Sequence, residues 1–414
     1  MKSSTFKFKR TLCIFISIFI IVGLFSFLVY YFFGENAEKI FLFDNGLVVD
    51  NSEEYFKTED FKDLQASLAE QGLFYYSQLS EKEKKSFNYV YMAIKKRASK
   101  VVFSEPLTID FLTKIVYILK FDCPEMYFLG NNIDYDLKGK NVLSYYPTYD
   151  ISQRKYSDMQ NTVSQKEEEI LEMVEGLSEY DTELYIHNYI LKNTEYTTKT
   201  SNCDNLYGCI IEGKANCEGY SAAFTYLLRR AGIESSQVIG ETTGEKSIGH
   251  SWNIVKIDGI YSYVDVSWDD LEDSSEYNDI DYHYAFFNIT YNEVSQKRDI
   301  SKNSLYLGAL PEENSVKNNF FYKNGTYIFK QSDISKIINE KLPILVSSND
   351  KYLMLKCNGS DMYEVLVKEI KNIMQDTIKQ KKLPISNCSY IKIADGYTII
   401  IHNIKYNASS IIFN

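Results

Sequence analysis

The chain has 414 residues, a length that accommodates two or three domains. An apolar fraction of 45% and a charged fraction of 24% belong to a chain that buries real cores, which excludes a mainly disordered protein. A formal net charge of −11 argues against a nucleic-acid partner, and seven cysteines without a C-x-x-C pair exclude a disulfide scaffold and a zinc site of the usual spacing.

Residues 1–10 carry Lys2, Lys7, Lys9 and Arg10 and no acid. Thr11 to Phe33 then run without a charge, long enough as a helix to cross a hydrocarbon core of ~30 Å. A secretory signal has a shorter apolar stretch, of ~7–15 residues, and small residues at its cut site, whereas the exit here is Gly34-Glu35-Asn36-Ala37-Glu38. Residues 11–33 therefore read as an uncleaved transmembrane anchor, with the lipid bilayer as its partner, and a cleaved signal peptide is the alternative. The positive-inside bias makes residues 1–10 a cytoplasmic tail and puts everything after Phe33 outside. The expectation is a single-pass cell-membrane protein whose bulk is extracytoplasmic.

Residues 34–57 show no periodicity and read as a tether. Ser80-x-x-Glu83 is a capping box, and Phe87, Val90, Tyr91 and Ile94 then repeat on one helical face. A second helix is predicted from Thr108 to Leu119, short strands between Met126 and Tyr149, and helices over Ser157–Leu177 and Asp181–Leu191. Residues 34–175 are thus a tether and a helix-rich extracytoplasmic region. After Leu305 the pattern changes to a small α+β unit, residues 305–414. It is predicted to hold a hairpin from Phe320 to Phe329 around Asn324-Gly325, a helix at Ser332–Glu340, a strand at Tyr352–Cys357, a helix at Met362–Gln380, and two last strands joined by Asp395-Gly396.

The chemistry-bearing stretch lies between these regions, in residues 176–304. From GKANCEGYSAAFTYLLRRAG, apolar residues recur at Tyr220, Ala223, Phe224, Leu227, Leu228 and Ala231, an amphipathic helix closed by Gly232. Cys217 sits at its first turn, where the positive dipole end favours thiolate and free N–H groups suit a developing oxyanion. Gly213 and Gly219 are expected to keep the approach to the thiol open. GHSWNIVKIDGIYSYVDVSWDD begins 32 residues after the thiol, and Asp258-Gly259 within it is a hairpin signal. A two-residue turn there pairs Ile257 with Ile260, Trp252 with Asp265 and His250 with Ser267. His250 and Asp265 then become diagonal neighbours on one sheet face, a base with its orienting carboxylate. A nucleophile on a helix and a His–Asp pair on a hairpin form the logic of thiol acyl transfer.

These segments resemble the transglutaminase-like superfamily, which has a papain-like thiol-enzyme core. GKANCEGYSAAF matches its Cys motif, GHSWNIVKIDG its His motif and YVDVSWDD its Asp motif. YIHNYILKNTEY around His187 is similar to the helix before the catalytic core in bacterial members, many of which carry Asp where Asn188 stands here. The resemblance implies a membrane-anchored bacterial member of α+β class, with a catalytic Cys helix packed on an antiparallel sheet. It makes Cys217 the nucleophile, His250 the general base and Asp265 its orienter, with no cofactor. A protein or peptide, cell-wall peptide included, is the expected substrate, attacked at an amide carbonyl and released to water or to an amine.

Simpler roles compete with these. A single Cys on a helix or His on a strand is usually a packed core residue, and it is their order, spacing and register together that favour a triad. Cys, His and Asp are also metal ligands, but no fourth is evident, so no metal is expected. Trp252 and Trp268 read as core or cleft-wall aromatics, and His187, His283 and His402 as structural. Cys203 and Cys209 read as separate thiols rather than a disulfide. Asp265 to Asp281 holds eight acids and no Lys or Arg, first a solvated loop, second a collar for a cationic amine or calcium. The rival to an enzyme is a non-catalytic surface module that binds a partner with the same fold.

Overall fold

A computed structural model describes residues 41–43, 46–50, 59–243, 247–270, 280, 283–348 and 350–406. The apolar segment 11–33 and its basic tail lie outside the described residues. Among those described, no helix is long and apolar enough to cross a membrane.

In the N-terminal region the capping signals act as the sequence requires. Ser80 accepts from the Glu83 amide while Glu83 accepts from the Ser80 amide, opening the helix Glu81–Lys95. Phe87, Val90, Tyr91 and Ile94 are buried on its inner face. Thr108 caps the helix Ile109–Phe121 in the same way. The region is not only helical, however. It also carries a five-stranded sheet of β1 (Phe41–Phe43), β2 (Gly46–Asp50), β3 (Lys100–Thr108), β4 (Leu129–Lys138) and β5 (Asn141–Tyr149), in the order β1-β2-β3-β5-β4. β1 and β2 fall where the sequence suggests a tether, and β2 runs parallel to β3. β3 escapes sequence reading because Ser104, Glu105 and Pro106 interrupt its alternation. The β3–β5 register shifts between Val102 and Leu107, and a bulge is where a sheet tolerates proline.

The central unit begins with the helix Glu179–Asn193 and a short parallel pair, β6 (Glu195–Tyr196) with β7 (Lys214–Ala215). The helix Cys217–Arg230 follows. It packs on a four-stranded antiparallel sheet of β8 (Ser235–Thr242), β9 (Gly249–Ile257), β10 (Ile260–Val264) and β11 (Arg298–Asp299), ordered β10-β9-β8-β11. Asp258 and Gly259 both have positive φ, and the hairpin pairs Ile260 with Ile257 through to Val264 with Asn253. Alternation along β9 divides the environment. Trp252 and Ile254 join the N-terminal core, while Val255 and Ile257 join the core under the Cys217 helix. A polar seam fixes helix to sheet: Ser221 Oγ lies 2.8 Å from Ser251 Oγ and donates to Gln237 Oε1 at 2.9 Å, and Asn253 Nδ2 donates to Thr225 Oγ1 at 2.8 Å.

The C-terminal unit is a sheet of β12 (Tyr327–Ile328), β13 (Leu353–Cys357), β14 (Ile385–Ile393) and β15 (Thr398–Tyr406), ordered β12-β13-β15-β14, with the helices Gln331–Ser348 and Ser360–Lys381 sharing its core. The expected hairpin at Phe320–Phe329 is not formed. Phe320–Lys323 is a helical turn capped by Asn319, and Asn324 and Gly325 end it, Gly325 at φ 66°. Asn-Gly favours positive φ, which serves a helix stop as well as a hairpin turn. β12 then runs parallel to β13.

One buried cation ties this unit to the central one. Lys356 of β13 donates to Ala285 O at 2.9 Å and Gly396 O at 2.8 Å, and pairs with Glu293 Oε1 at 2.8 Å. Breaking a buried pair strands the remaining charge, at a cost of roughly 3–5 kcal/mol. Lys356→Met is expected to lower stability in urea by about that amount. Adding Glu293→Gln should restore much of the loss; a double variant no more stable than Lys356→Met would show that the ion pair is not the tie.

Candidate active site

Asn216 holds extended backbone before the helix, and its Oδ1 accepts from Glu218 N at 2.9 Å and Gly219 N at 3.2 Å. Cys217 thereby becomes the first helical residue, partly exposed. The cap also occupies two of the N–H groups expected to be free for an oxyanion. The Cys217 amide and thiol instead face the hydroxyl of Tyr196, which arrives because β6 pairs Tyr196 with Ala215. Gly219 serves a different end from the one expected: a Cβ there would lie 2.3 Å from Cys203 O and 2.9 Å from Ala215 Cβ. The helix start is pressed against the 203–215 segment behind it, and it is that contact that needs glycine. At Gly213 a Cβ would likewise meet Asn193 O at 2.7 Å.

His250 stands near the start of β9, its side chain 7% exposed, with Nε2 2.7 Å from Asp265 Oδ2. The Cys217 thiol acts on the same imidazole and favours its protonated form. The bond to Asp265 is the one the hairpin register suggests, but it forms by a different route. The ladder ends at Val264–Asn253, so Trp252 does not pair with Asp265, nor His250 with Ser267. Asp265 caps the short helix Val266–Asp269 instead. Its Oδ1 accepts from Trp268 N at 3.2 Å and Ser267 Oγ at 2.9 Å, and its amide donates to Phe286 O at 3.0 Å. Aspartate prefers a cap to a strand interior, and here the cap aims Oδ2 at the ring.

Oδ2 has a second partner that sequence reasoning missed. Arg298 of β11 donates to it from Nη2, and both side chains are 1% exposed. The guanidinium lies 4.1 Å from the Trp268 ring centre, 5.2 Å from that of Trp252 and 5.6 Å from that of Phe286. No spacing signal marks it: Lys297-Arg298-Asp299 reads as surface charge. Burial acts to raise the Asp265 pKa, but His250 and Arg298 hold the carboxyl well below the usual carboxylate range. For His250, burial disfavours the charged ring and Arg298 repels it. Asp265 and the nearby Cys217 thiol outweigh both, and the imidazole is pushed up to about 9.

Trp252 is buried, its ring 5.8 Å from that of His250, and half-buried Trp268 lies 5.3 Å from the imidazole on another side. His187 and His283 both converge on buried Asp269, at 3.1 Å and 2.7 Å. Asp270 accepts from Tyr220 at 2.5 Å, and burial pushes its carboxyl up to about 6. The rest of the acidic stretch lies largely outside the described residues. Cys203 and Cys209 are separate buried thiols. Among the described residues no group of three His, Cys, Asp or Glu is arranged to hold a metal ion.

The Asn216 cap can be tested directly. Asn216→Ala is expected to cost about 1 kcal/mol of stability by chemical denaturation, while Asn216→Asp should retain most of it. Equal losses in the two variants would show that the carbonyl-type cap is not what orders the Cys217 helix start.

No curated protein matches the chain. Among solved structures, a TGase matches at 14% identity and a TM-score of 0.25 over 44% of this chain and 54% of its own. A candidate cysteine protease from Cytophaga hutchinsonii matches at 12% identity and a TM-score of 0.23 over 33% of this chain and 61% of its own. Likenesses of that size decide nothing about fold or chemistry. The sequence itself does more: residues 170–267, from the end of the helix before Glu179 to just past Asp265, match the transglutaminase-like superfamily.

Proposed function

We propose that the protein is a membrane-anchored thiol enzyme acting outside the cytoplasm on amide or peptide carbonyls, with Cys217 as nucleophile, His250 as general base and Asp265 as its orienter. The observation that carries this is the buried His250–Asp265 pair: the carboxylate holds His250 Nε2 at 2.7 Å, and the Cys217 thiol at a helix start also favours the protonated ring. The matched superfamily is chiefly one of thiol enzymes, which agrees with that geometry. The anchor and orientation rest on the charge-free run 11–33 and the four basic residues before it. Residues 176–304 are the catalytic core in this proposal, between the extracytoplasmic region 34–175 and the C-terminal unit 305–414.

In the first half-reaction the Cys217 sulfur bonds to the carbonyl carbon, whose π electrons move to oxygen. The Cys217 amide and the Tyr196 hydroxyl, which face each other beside the thiol, are the donors assigned to that oxyanion in this proposal. When the C=O re-forms, the C–N bond breaks and the departing amine takes the proton from the His250 imidazolium, leaving a thioester. In the second half-reaction water or an amine attacks the thioester carbonyl and gives its proton to His250. The C–S bond breaks and Cys217 returns as thiolate. The acceptor decides between hydrolysis and acyl transfer, and the proposed donor is a protein or peptide, cell-wall peptide among the candidates.

The chain has four histidines, so NMR of histidine-labelled protein follows each ring. His250, assigned by His250→Gln, is expected to titrate near 9 and to fall in Asp265→Asn. The protonated ring is then present through neutral pH and lost as pH rises through about 9, a limb that belongs to the thiol–imidazole pair. Iodoacetamide labelling of Cys217 at pH 7 should slow by at least about tenfold in His250→Ala. An ordinary His250 titration, together with labelling indifferent to His250, would make the protein a binding module rather than an enzyme.

A further inference from the structure

We propose that Arg298 is a positioning residue of this site: a buried cation on the oxygen of Asp265 that His250 uses, which limits how tightly the imidazole holds its proton. The inference rests on the thiol-enzyme reading and adds to it a residue beyond the matched segment.

The geometry assigns separate tasks to the two oxygens of Asp265. Oδ1 is engaged by Ser267 and the Trp268 amide, bonds that fix the carboxylate's orientation without any cation. Arg298 binds Oδ2, the oxygen already taken by His250. A guanidinium is not needed there for aim, and its effect on that oxygen is electrostatic. Its Nε and Nη1 find no hydrogen-bond partner among the described residues, and the guanidinium is held against the rings of Trp252, Trp268 and Phe286. The aromatic faces keep a charge that water would otherwise screen.

Among the described residues, four charged or titratable groups enter the balance around His250. Asp265, from the cap after β10, and Cys217, from the helix start, favour the imidazolium; Arg298, from β11, opposes it. Tyr196, from β6, reaches the thiol and feels Asp265. With burial alone opposing Asp265, His250 would hold its proton more tightly and pass it less readily to a departing amine. A general acid works best when its pKa lies near the working pH, and Arg298 moves His250 in that direction.

The test is the titration of His250 in the full chain, followed by NMR of histidine-labelled protein. Arg298→Met keeps an unbranched stem beside the indoles and removes the charge. It is expected to raise the His250 titration by at least about one pH unit, whereas Arg298→Lys should stay near wild type. A merely structural Arg298 would lower stability in both variants and leave the titration in place. A neutral pair guards against loss of fold, since exchanging both charges of a buried ion pair is tolerated better than stranding one. His250 should titrate higher in Asp265→Asn/Arg298→Met than in Asp265→Asn alone. An unmoved or lowered titration on removing Arg298, in either background, overturns the proposal. If the wild-type His250 titrates as a free histidine, the thiol-enzyme reading fails instead, whatever Arg298 does.

Discussion

A single carboxylate connects the parts of this site that lie far apart in sequence. Asp265 ends a strand, caps a helix, binds a base and receives a buried guanidinium, and each task requires the others. Without the cap, Oδ2 would not be aimed at His250. Without opposite charges around it, burial would favour the neutral acid, and the imidazole would lose the anion that raises its proton affinity. The carboxyl stays ionised because two cationic partners outweigh desolvation, a balance that is possible only where water is excluded.

The thiol side is built by packing rather than charge. The β6–β7 pair, the glycine contacts and the Asn216 cap fix where the Cys217 helix begins, and the seam of Ser221, Thr225, Gln237, Ser251 and Asn253 fixes how it lies on the sheet. A polar seam specifies register more sharply than an apolar one, because a slipped helix would bury hydroxyls and amides without partners. The Cys217 thiol and the His250 ring are therefore positioned by two different mechanisms.

The sequence reveals those features whose cause is local. The capping box at Ser80, the periodicity from Tyr220 to Ala231 and the two-residue turn at Asp258-Gly259 depend on neighbours within a few residues, and the fold follows them. The pairing of His250 with Asp265 was legible because a hairpin carries register over that distance. Its detailed form was not, since Asp265 left the ladder for a cap. Features created by distant contact were not legible at all. β2 enters the five-stranded sheet only through its parallel pairing with β3, and Arg298 is a site residue only because β11 pairs with β8. Asn324-Gly325 shows a third limit: one backbone preference fits two structures, and here it closes a helical turn opened by the Asn319 cap.

The family match ends at residue 267, but the physical site does not. Trp268 and Arg298 lie beyond it, and Phe286 accepts the Asp265 amide. Phe286 in turn follows Ala285, whose carbonyl Lys356 holds from the C-terminal unit. The chain of contacts from Lys356 through Ala285 and Phe286 to Asp265 gives that unit a physical reason to be present although it contributes nothing to the thiol–imidazole pair. It buttresses the segment on which the carboxylate's backbone hangs. A carboxylate held 2.7 Å from the His250 ring is sensitive to small shifts of its own backbone, so support from behind holds that pair as directly as the residues in front of it.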